Sequence, residues 1–364
     1  MSDVIHQIAG TGLIALDVLL KDENAAIYTA LGGSTGNVLA ILAFLGWRSF
    51  PIAHIGHDSA GKSLLRELKS LGSDTRFLLN QTNIQTPVIY QWPGDDEKTH
   101  RFSFACPLCG IKRRFSDYGL SQDLVYAVTE TITEPKVFYF DRVTPLALEL
   151  AKIYRDRGAV IFFEPSEIRG DAEEMRRALA LTHVLKYADD RISNLQDFNL
   201  SKVAVEIQTL GAKGLRFRAP SLATEWVYLP AIGVPYIVDT AGAGDWCSAG
   251  LLYKLFSEDN FMSSALFTYN KLYSALRFGQ ALSALNCMYE GARGIMYAKS
   301  PIYLVRAAKA LGKDKPVDFF VPKSSQQNRM RHYHKEAISQ KPKANKFLQT
   351  ATPCCGPLRF KTHI

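Results

Sequence analysis

The sequence predicts an α/β protein with a doubly wound, mainly parallel sheet, helices on both faces and a small β lid. Apolar segments of strand length alternate with amphipathic helical stretches from the start to about residue 312. Residues 84–105 break that rhythm and read as strand, turn, strand, a hairpin projecting from the sheet. After Pro322 the chain turns rich in Ser, Gln, Asn, Lys and His and poor in apolar residues, the composition of a mobile arm.

Taken in order, residues 4–9 form the first strand and 36–45 a helix whose apolar positions recur every three or four residues. Residues 50–55 are the next strand and 61–71 the next helix. The hairpin comprises TPVIYQW, the polar turn PGDDEKTH and RFSFA. Strand 137–140, helix 146–157 and strand 159–163 continue the alternation. Strands 203–209 and 236–238 and a helix over 249–256 complete it. No internal repeat is present.

At 364 residues, with 47% hydrophobic and 21% charged, the chain can bury one large core or two modest ones. No apolar run reaches the length of a membrane helix, and the N-terminus lacks a basic region followed by an apolar stretch. Six cysteines in so long a chain do not make a disulfide framework, so a cytoplasmic protein is expected. The formal charge of +8 lies wholly in residues 321–364, where nine Lys and Arg face the single acid Glu336. The other 320 residues balance, so neither a nucleic-acid groove nor a membrane-binding face is expected on the folded body.

Three segments compete as phosphate loops. Gly10-Thr11-Gly12-Leu13-Ile14-Ala15 fits a dinucleotide turn, but residues 28–38 supply no acid to hold a ribose. Gly56-His57-Asp58-Ser59-Ala60-Gly61-Lys62-Ser63 satisfies G-x-x-x-x-G-K-S between a strand and a helix. Asp141 after Val137–Phe140 could serve as its magnesium partner, so a P-loop NTPase is the alternative enzyme. The third is Val238-Asp239-Thr240-Ala241-Gly242-Ala243-Gly244-Asp245, at the end of strand 236–238. Small residues there let backbone N–H groups converge on an anion at a helix N-terminus. Asp245, in the first helical turn, can take the proton of an attacking hydroxyl.

D-T-A-G-A-G-D resembles the C-terminal signature of PfkB-type carbohydrate kinases, of the ribokinase-like superfamily. Gly32-Gly33-Ser34-Thr35-Gly36-Asn37 resembles the family's GG-x-x-x-N segment, and Gly56-x-Asp58-x-x-Gly61 its next element. Thr209-Leu210-Gly211-Ala212-Lys213-Gly214 resembles its T-L-G-x-x-G turn, so four matches follow in order. The resemblance implies ATP-dependent phosphoryl transfer to a hydroxyl of a sugar or sugar-like substrate, with magnesium travelling on the nucleotide. It makes Asp245 the base and Ala241 to Gly244 the anion hole, with Gly242, Ala243 and Gly244 at its centre. It gives Asp17, Gly33 and Asn37 to the sugar, and Thr209, Gly211, Gly214 and Gln280 to ATP. Residues 1–320 would be the kinase domain, with lid elements at about 15–33 and 84–115, and 321–364 the basic tail. A homodimer through the lid is compatible with this reading. The sequence departs from the family where N-x-x-E is expected: Ala188-Asp189-Asp190-Arg191 stands there, which favours a catalytically silent sugar- or nucleotide-binding relative as the non-enzyme alternative.

Arg142 and Glu164 lie where parallel strands end, as substrate contacts or as an edge salt bridge. Lys112, Arg113 and Arg114 read as a solvated run, or as a basic lid rim for an acidic sugar. Cys106 and Cys109 have zinc-knuckle spacing and, with Cys354 and Cys355, could supply a tetrahedral structural zinc site; unbridged thiols are the alternative.

Overall fold

The computed structural model describes residues 5–22, 25–93, 100–168, 171–192, 195–257 and 267–317. The chain opens with β1 (Gln7–Thr11), β2 (Ala15–Asp22) and β3 (Ala25–Gly32), then α1 (Ser34–Phe44), β4 (Arg48–Gly56) and α2 (Ser59–Ser70). β5 (Leu78–Gln81), β6 (Val88–Pro93) and β7 (His100–Ser103) follow, then α3 (Gln122–Thr131), β8 (Val137–Phe140), α4 (Pro145–Asp156) and β9 (Val160–Phe163). The chain continues through α5 (Ala172–Leu181), β10 (Val184–Ala188), β11 (Val205–Thr209), β12 (Gly214–Ala219) and β13 (Ala223–Pro230). It closes with α6 (Ala243–Leu255), α7 (Tyr269–Asn286) and α8 (Pro301–Leu311).

Nine strands form one sheet in the order β13-β12-β11-β10-β9-β8-β1-β4-β5. From β11 to β5 every pairing is parallel, while β12 and β13 are antiparallel additions at one edge. Parallel strands need cover on both faces, and β8 and β9 are accordingly apolar and buried along their whole length. One face packs on α1, α6, α7 and α8, the other on α3, α4 and α5. The doubly wound, mainly parallel sheet is thus present, with its helices on both sides.

A second sheet, β3-β2-β6-β7, stands apart from the first. β2 pairs antiparallel with β3 and parallel with β6, and the expected hairpin is the antiparallel pair β6–β7. Its apolar side packs on α2 through Leu16, Val18, Val88 and Tyr90. Asp17 lies within β2 opposite Ala30.

Residues 236–238 are not a strand. The backbone there is irregular, and the N–H groups of Val238 and Asp239 donate to Cys287 O at 2.8 and 3.2 Å. Asp239 fixes that course: its carboxylate accepts from Ala241 N and from Gly291 N, both at 2.7 Å. The helix expected over 249–256 begins earlier, at Ala243. Residues 318–364, including Cys354 and Cys355, lie outside the described residues.

Candidate active site

The N-terminus of α6 opens on Gly242, whose φ of 73° is left-handed. A Cβ there would lie 2.3 Å from Ala292 O, so only glycine fits both the turn and the neighbouring segment. Ala243 N closes a turn on Thr240 O, while Gly244 N and Asp245 N begin the helix with no acceptor inside it. The small residues thus leave donors and the positive end of the helix dipole at one spot.

Asp245 is the third residue of α6 and is buried. Asn37, on α1, donates from Nδ2 to Asp245 Oδ2 at 2.7 Å, joining residues 208 positions apart. Burial pushes the Asp245 carboxyl up to about 7 and the charge of Glu164 adds to the effect; the Asn37 hydrogen bond and Lys186 pull the other way. A buried acid titrating near neutrality is matched to proton abstraction from a hydroxyl.

Asp17 faces the same region from β2. It is buried, its Oδ1 has no hydrogen-bond partner, and burial pushes its carboxyl up to about 7 despite Arg293. A Cβ at Gly32 would sit 2.0 Å from the Asp17 carboxyl, so the first glycine of the Gly32-Gly33 pair makes room for it. Gly33 caps α1 at a φ of 79°, and its carbonyl receives Asn37 N at 2.8 Å. Sequence motifs picked out Asp17, Asn37 and Asp245 on three elements, but not the cations Lys186 and Arg293 beside them.

A buried ion pair braces α6 from below. Lys186, on β10, donates to Glu164 and, at 3.2 Å, to Gly244 O. Glu164 also accepts from Tyr139 OH at 3.1 Å and from Ser248 Oγ. Burial opposes the Lys186 charge, but Glu164 holds its pKa above the ordinary lysine value. Of the two edge residues, Glu164 is therefore an ion-pair partner. Arg142 is ion-paired too: it folds back on Asp141, its Nη1 3.4 Å from Oδ2 and donating to the carbonyl at 2.8 Å. Lys186, Glu67, Arg293 and Tyr297 were not singled out from the sequence. Lys186 alone had a signal, since it interrupts the buried run Val-Leu-Lys-Tyr-Ala of β10.

Thr209 ends β11, and the turn after it uses Gly211 at a φ of 56° and Gly214 at 110°. A Cβ on Gly214 would meet Leu229 O at 2.2 Å. Gln280 lies on α7 beside this hairpin, its Nε2 donating to Leu229 O and Pro230 O at 3.1 and 3.2 Å. Its amide thus ties the helix to β13.

The G-x-x-x-x-G-K-S segment is filled by its own acid. Asp58 Oδ1 accepts from Gly61 N and from Thr86 Oγ1, both at 2.8 Å, and Asp58 Oδ2 accepts from Thr86 N at 3.1 Å. A carboxylate occupies the start of α2 where a phosphate would bind, and Lys62 is solvent-exposed. The Gly10–Ala15 turn leads into β2 rather than a helix.

Cys106 is buried in the apolar cluster beneath the small sheet and Cys109 is exposed. Among the described residues no group of three or more His, Cys, Asp or Glu is arranged to hold a metal. For magnesium, Glu164 is already engaged by three donors, Ala188 and Arg191 offer no anionic ligand, and Asp189 and Asp190 are exposed in the turn after β10. These residues do not fit a magnesium site built from the protein alone.

Residues 147–298 match the model of the pfkB family of carbohydrate kinases. A probable fructokinase-5 of Arabidopsis thaliana is 23% identical over 295 residues, which span 74% of this chain and 86% of that protein. The aminoimidazole riboside kinase of Salmonella enterica, crystallised with aminoimidazole riboside and an ATP analogue, superposes with a TM-score of 0.63. Its identity is 21%, over 83% of this chain and 100% of that one. A fructokinase of Xylella fastidiosa with bound ATP superposes with a TM-score of 0.65 at 18% identity, over 82% and 98% of the two chains. The shared architecture is the large, mostly parallel sheet of the ribokinase-like fold.

Proposed function

We propose that this chain, which carries a pfkB-family carbohydrate kinase domain and is a kinase acting on a sugar-like substrate, uses Asp245 as its general base. The observation that carries the reading is the juxtaposition of Asp245, buried and pushed up to about 7, with the unengaged N–H groups at the start of α6. The acceptor hydroxyl donates its proton to Asp245 as its oxygen attacks the γ-phosphorus of ATP and the bond to the β-phosphate oxygen breaks. The N–H groups of Gly242 and Gly244 and the helix dipole receive the charge on the transferring phosphoryl oxygens; of the expected 241–244 anion hole, Ala241 N is taken by Asp239 and Ala243 N by Thr240 O.

Asp17 binds the sugar. A substrate hydroxyl donating to its partnerless Oδ1 would satisfy a buried acceptor that the protein leaves open. Gly33 and Asn37 complete that end of the site. Thr209, Gly211, Gly214 and Gln280 lie toward ATP, and magnesium arrives on the nucleotide's phosphates. The small sheet serves as the lid that excludes water from the transfer. The relative named a probable fructokinase supports a carbohydrate acceptor, and the riboside kinase a nucleoside one.

Turnover of ATP over pentoses, hexoses, sugar acids and nucleosides identifies the acceptor. With it, Asp245→Asn keeps the shape and removes the proton acceptor, so kcat should fall about 10²–10⁴-fold while the Kd for ATP stays near wild type. Near-normal turnover in that variant would remove Asp245 from the mechanism.

A further inference from the structure

Arg293 follows α7 in the run Gly291-Ala292-Arg293-Gly294 and is buried, 2% exposed. Its Nη1 donates to Leu31 O and to Asn37 Oδ1. Its Nη2 donates to Glu67 Oε1 at 2.6 Å and to Tyr297 OH at 3.3 Å. Glu67, from α2, takes Leu31 N at 2.7 Å and Tyr297 OH at 2.6 Å as well. Burial works against the guanidinium charge, but Tyr297 and Glu67 hold it firmly in place. Leu31 and Asn37, on either side of the Gly32-Gly33 pair, and Glu67, all more than two hundred positions earlier, therefore meet on one cation.

The chemistry of that contact fixes an orientation. A guanidinium only donates, so the face of the Asn37 amide turned to Arg293 must be its oxygen. The NH₂ side is then left for Asp245, 2.7 Å away. Rotating the amide by half a turn would set a carbonyl dipole against the Asp245 carboxylate. The other groups acting on Asp245 cannot reverse sign in this way. Glu164 at the end of β9 and Asp141 at the end of β8 push its proton on, and Lys186 on β10, held by Glu164, pulls it off.

We propose that Arg293, anchored by Glu67 and Tyr297, is a positioning residue that locks the Asn37 amide with its N–H toward Asp245 and so keeps the base ionised. The same cation holds the carbonyl of Leu31, where β3 passes into Gly32 and Gly33, so the lock also ties the small sheet to the base. The proposal rests on Asp245 being the base, but its central claim concerns the protonation of Asp245 and is measured without turnover.

The stability of the ligand-free protein and of Asp245→Asn, followed against pH, gives a difference curve that declines above the unfolded-chain value and levels off at the midpoint of the Asp245 titration in the folded protein. In an Arg293→Gln background that midpoint should rise by about one pH unit, the worth of one hydrogen bond to a charged group. The acid limb of kcat/KM should move with it, with activity recovered at high pH. Arg293→Lys has three donors for four acceptors and should shift the midpoint in the same direction by less; it carries the measurement if the glutamine variant does not fold. In an Asn37→Ala background, Arg293→Gln should produce no further shift. An unmoved midpoint in Arg293→Gln or Arg293→Lys, or shifts that simply add to those of Asn37→Ala, would overturn the proposal. A moved midpoint together with an active Asp245→Asn enzyme would instead leave the lock standing and remove Asp245 as the base.

Discussion

Asp17→Asn should make the ligand-free protein more stable at neutral pH while impairing it as a kinase. Asp17 is a buried carboxylate whose Oδ1 has no partner, so the isosteric amide gives up no protein hydrogen bond at that atom. Burial raises its carboxyl to about 7, with Glu67 and Asp239 adding to the effect and Arg293 opposing it. In the unfolded chain the same group titrates near 3.9. Between those values the folded protein keeps a proton that the unfolded chain has lost. This contribution to stability is therefore full below about pH 4, declines as pH rises, and is gone above about pH 7. At about 1.4 kcal/mol per pH unit the gap is worth about 4 kcal/mol, an upper bound because local rearrangement or water entry relieves part of it. Denaturant unfolding of wild type and variant from pH 4 to 8.5, without substrate, measures it. The two should converge near pH 4, and the variant should be the more stable by a growing margin up to pH 7. A variant less stable at pH 8 would mean that the Asp17 carboxylate is well compensated in the folded protein, and would refute the reasoning. With substrate, the variant should show a raised KM and little change in ATP affinity.

Lys62→Ala should leave nucleotide affinity within about twofold, since Lys62 is an exposed residue of α2 and ordinary surface changes are nearly neutral; a loss of binding by an order of magnitude would bring back the Gly56–Ser63 loop. The zinc proposal for Cys106, Cys109, Cys354 and Cys355 requires about one zinc per chain in protein purified without chelator. That metal must be lost both in Cys106→Ser and on deletion after Gln349, and protein without it would remove the site.

What the sequence made legible is what short-range chemistry dictates. β8 and β9 are four-residue apolar runs, and only a buried parallel strand suits them. Gly242 and Gly33 mark turns with positive φ, so the two glycine-rich motifs could be placed at helix starts from their residue types alone. Residues 236–238 misled because their apolar, β-branched composition favours a strand. Their backbone instead follows Cys287 and the Asp239 carboxylate, which reaches 52 positions ahead to Gly291 N. Arg293 is invisible for the same reason. Its partners Leu31, Asn37 and Glu67 come more than two hundred positions earlier, and no local pattern reports such a contact. Asp58 shows the converse: the Gly56–Ser63 pattern is local and complete, yet the side chain within it occupies the place a phosphate would need.

With Asp245 as the proposed base, the electrostatic arrangement around it has two opposed requirements to meet. A base that stays ionised easily is a weak base, and one that grips its proton is unavailable at neutral pH; the compromise lies near the working pH. A bare lysine beside Asp245 would favour ionisation too strongly. Lys186 is present, but Glu164 binds it directly, so much of its field is cancelled at the source. The remaining pull toward ionisation comes from a neutral amide, that of Asn37, whose dipole is weaker than a full charge and is useful only in one orientation. A neutral donor therefore needs a fixed partner on its other side, and a charged donor would not. Arg293 stands in that place while directing its own charge at Glu67, so in the proposed lock it orients Asn37 without overwhelming Asp245.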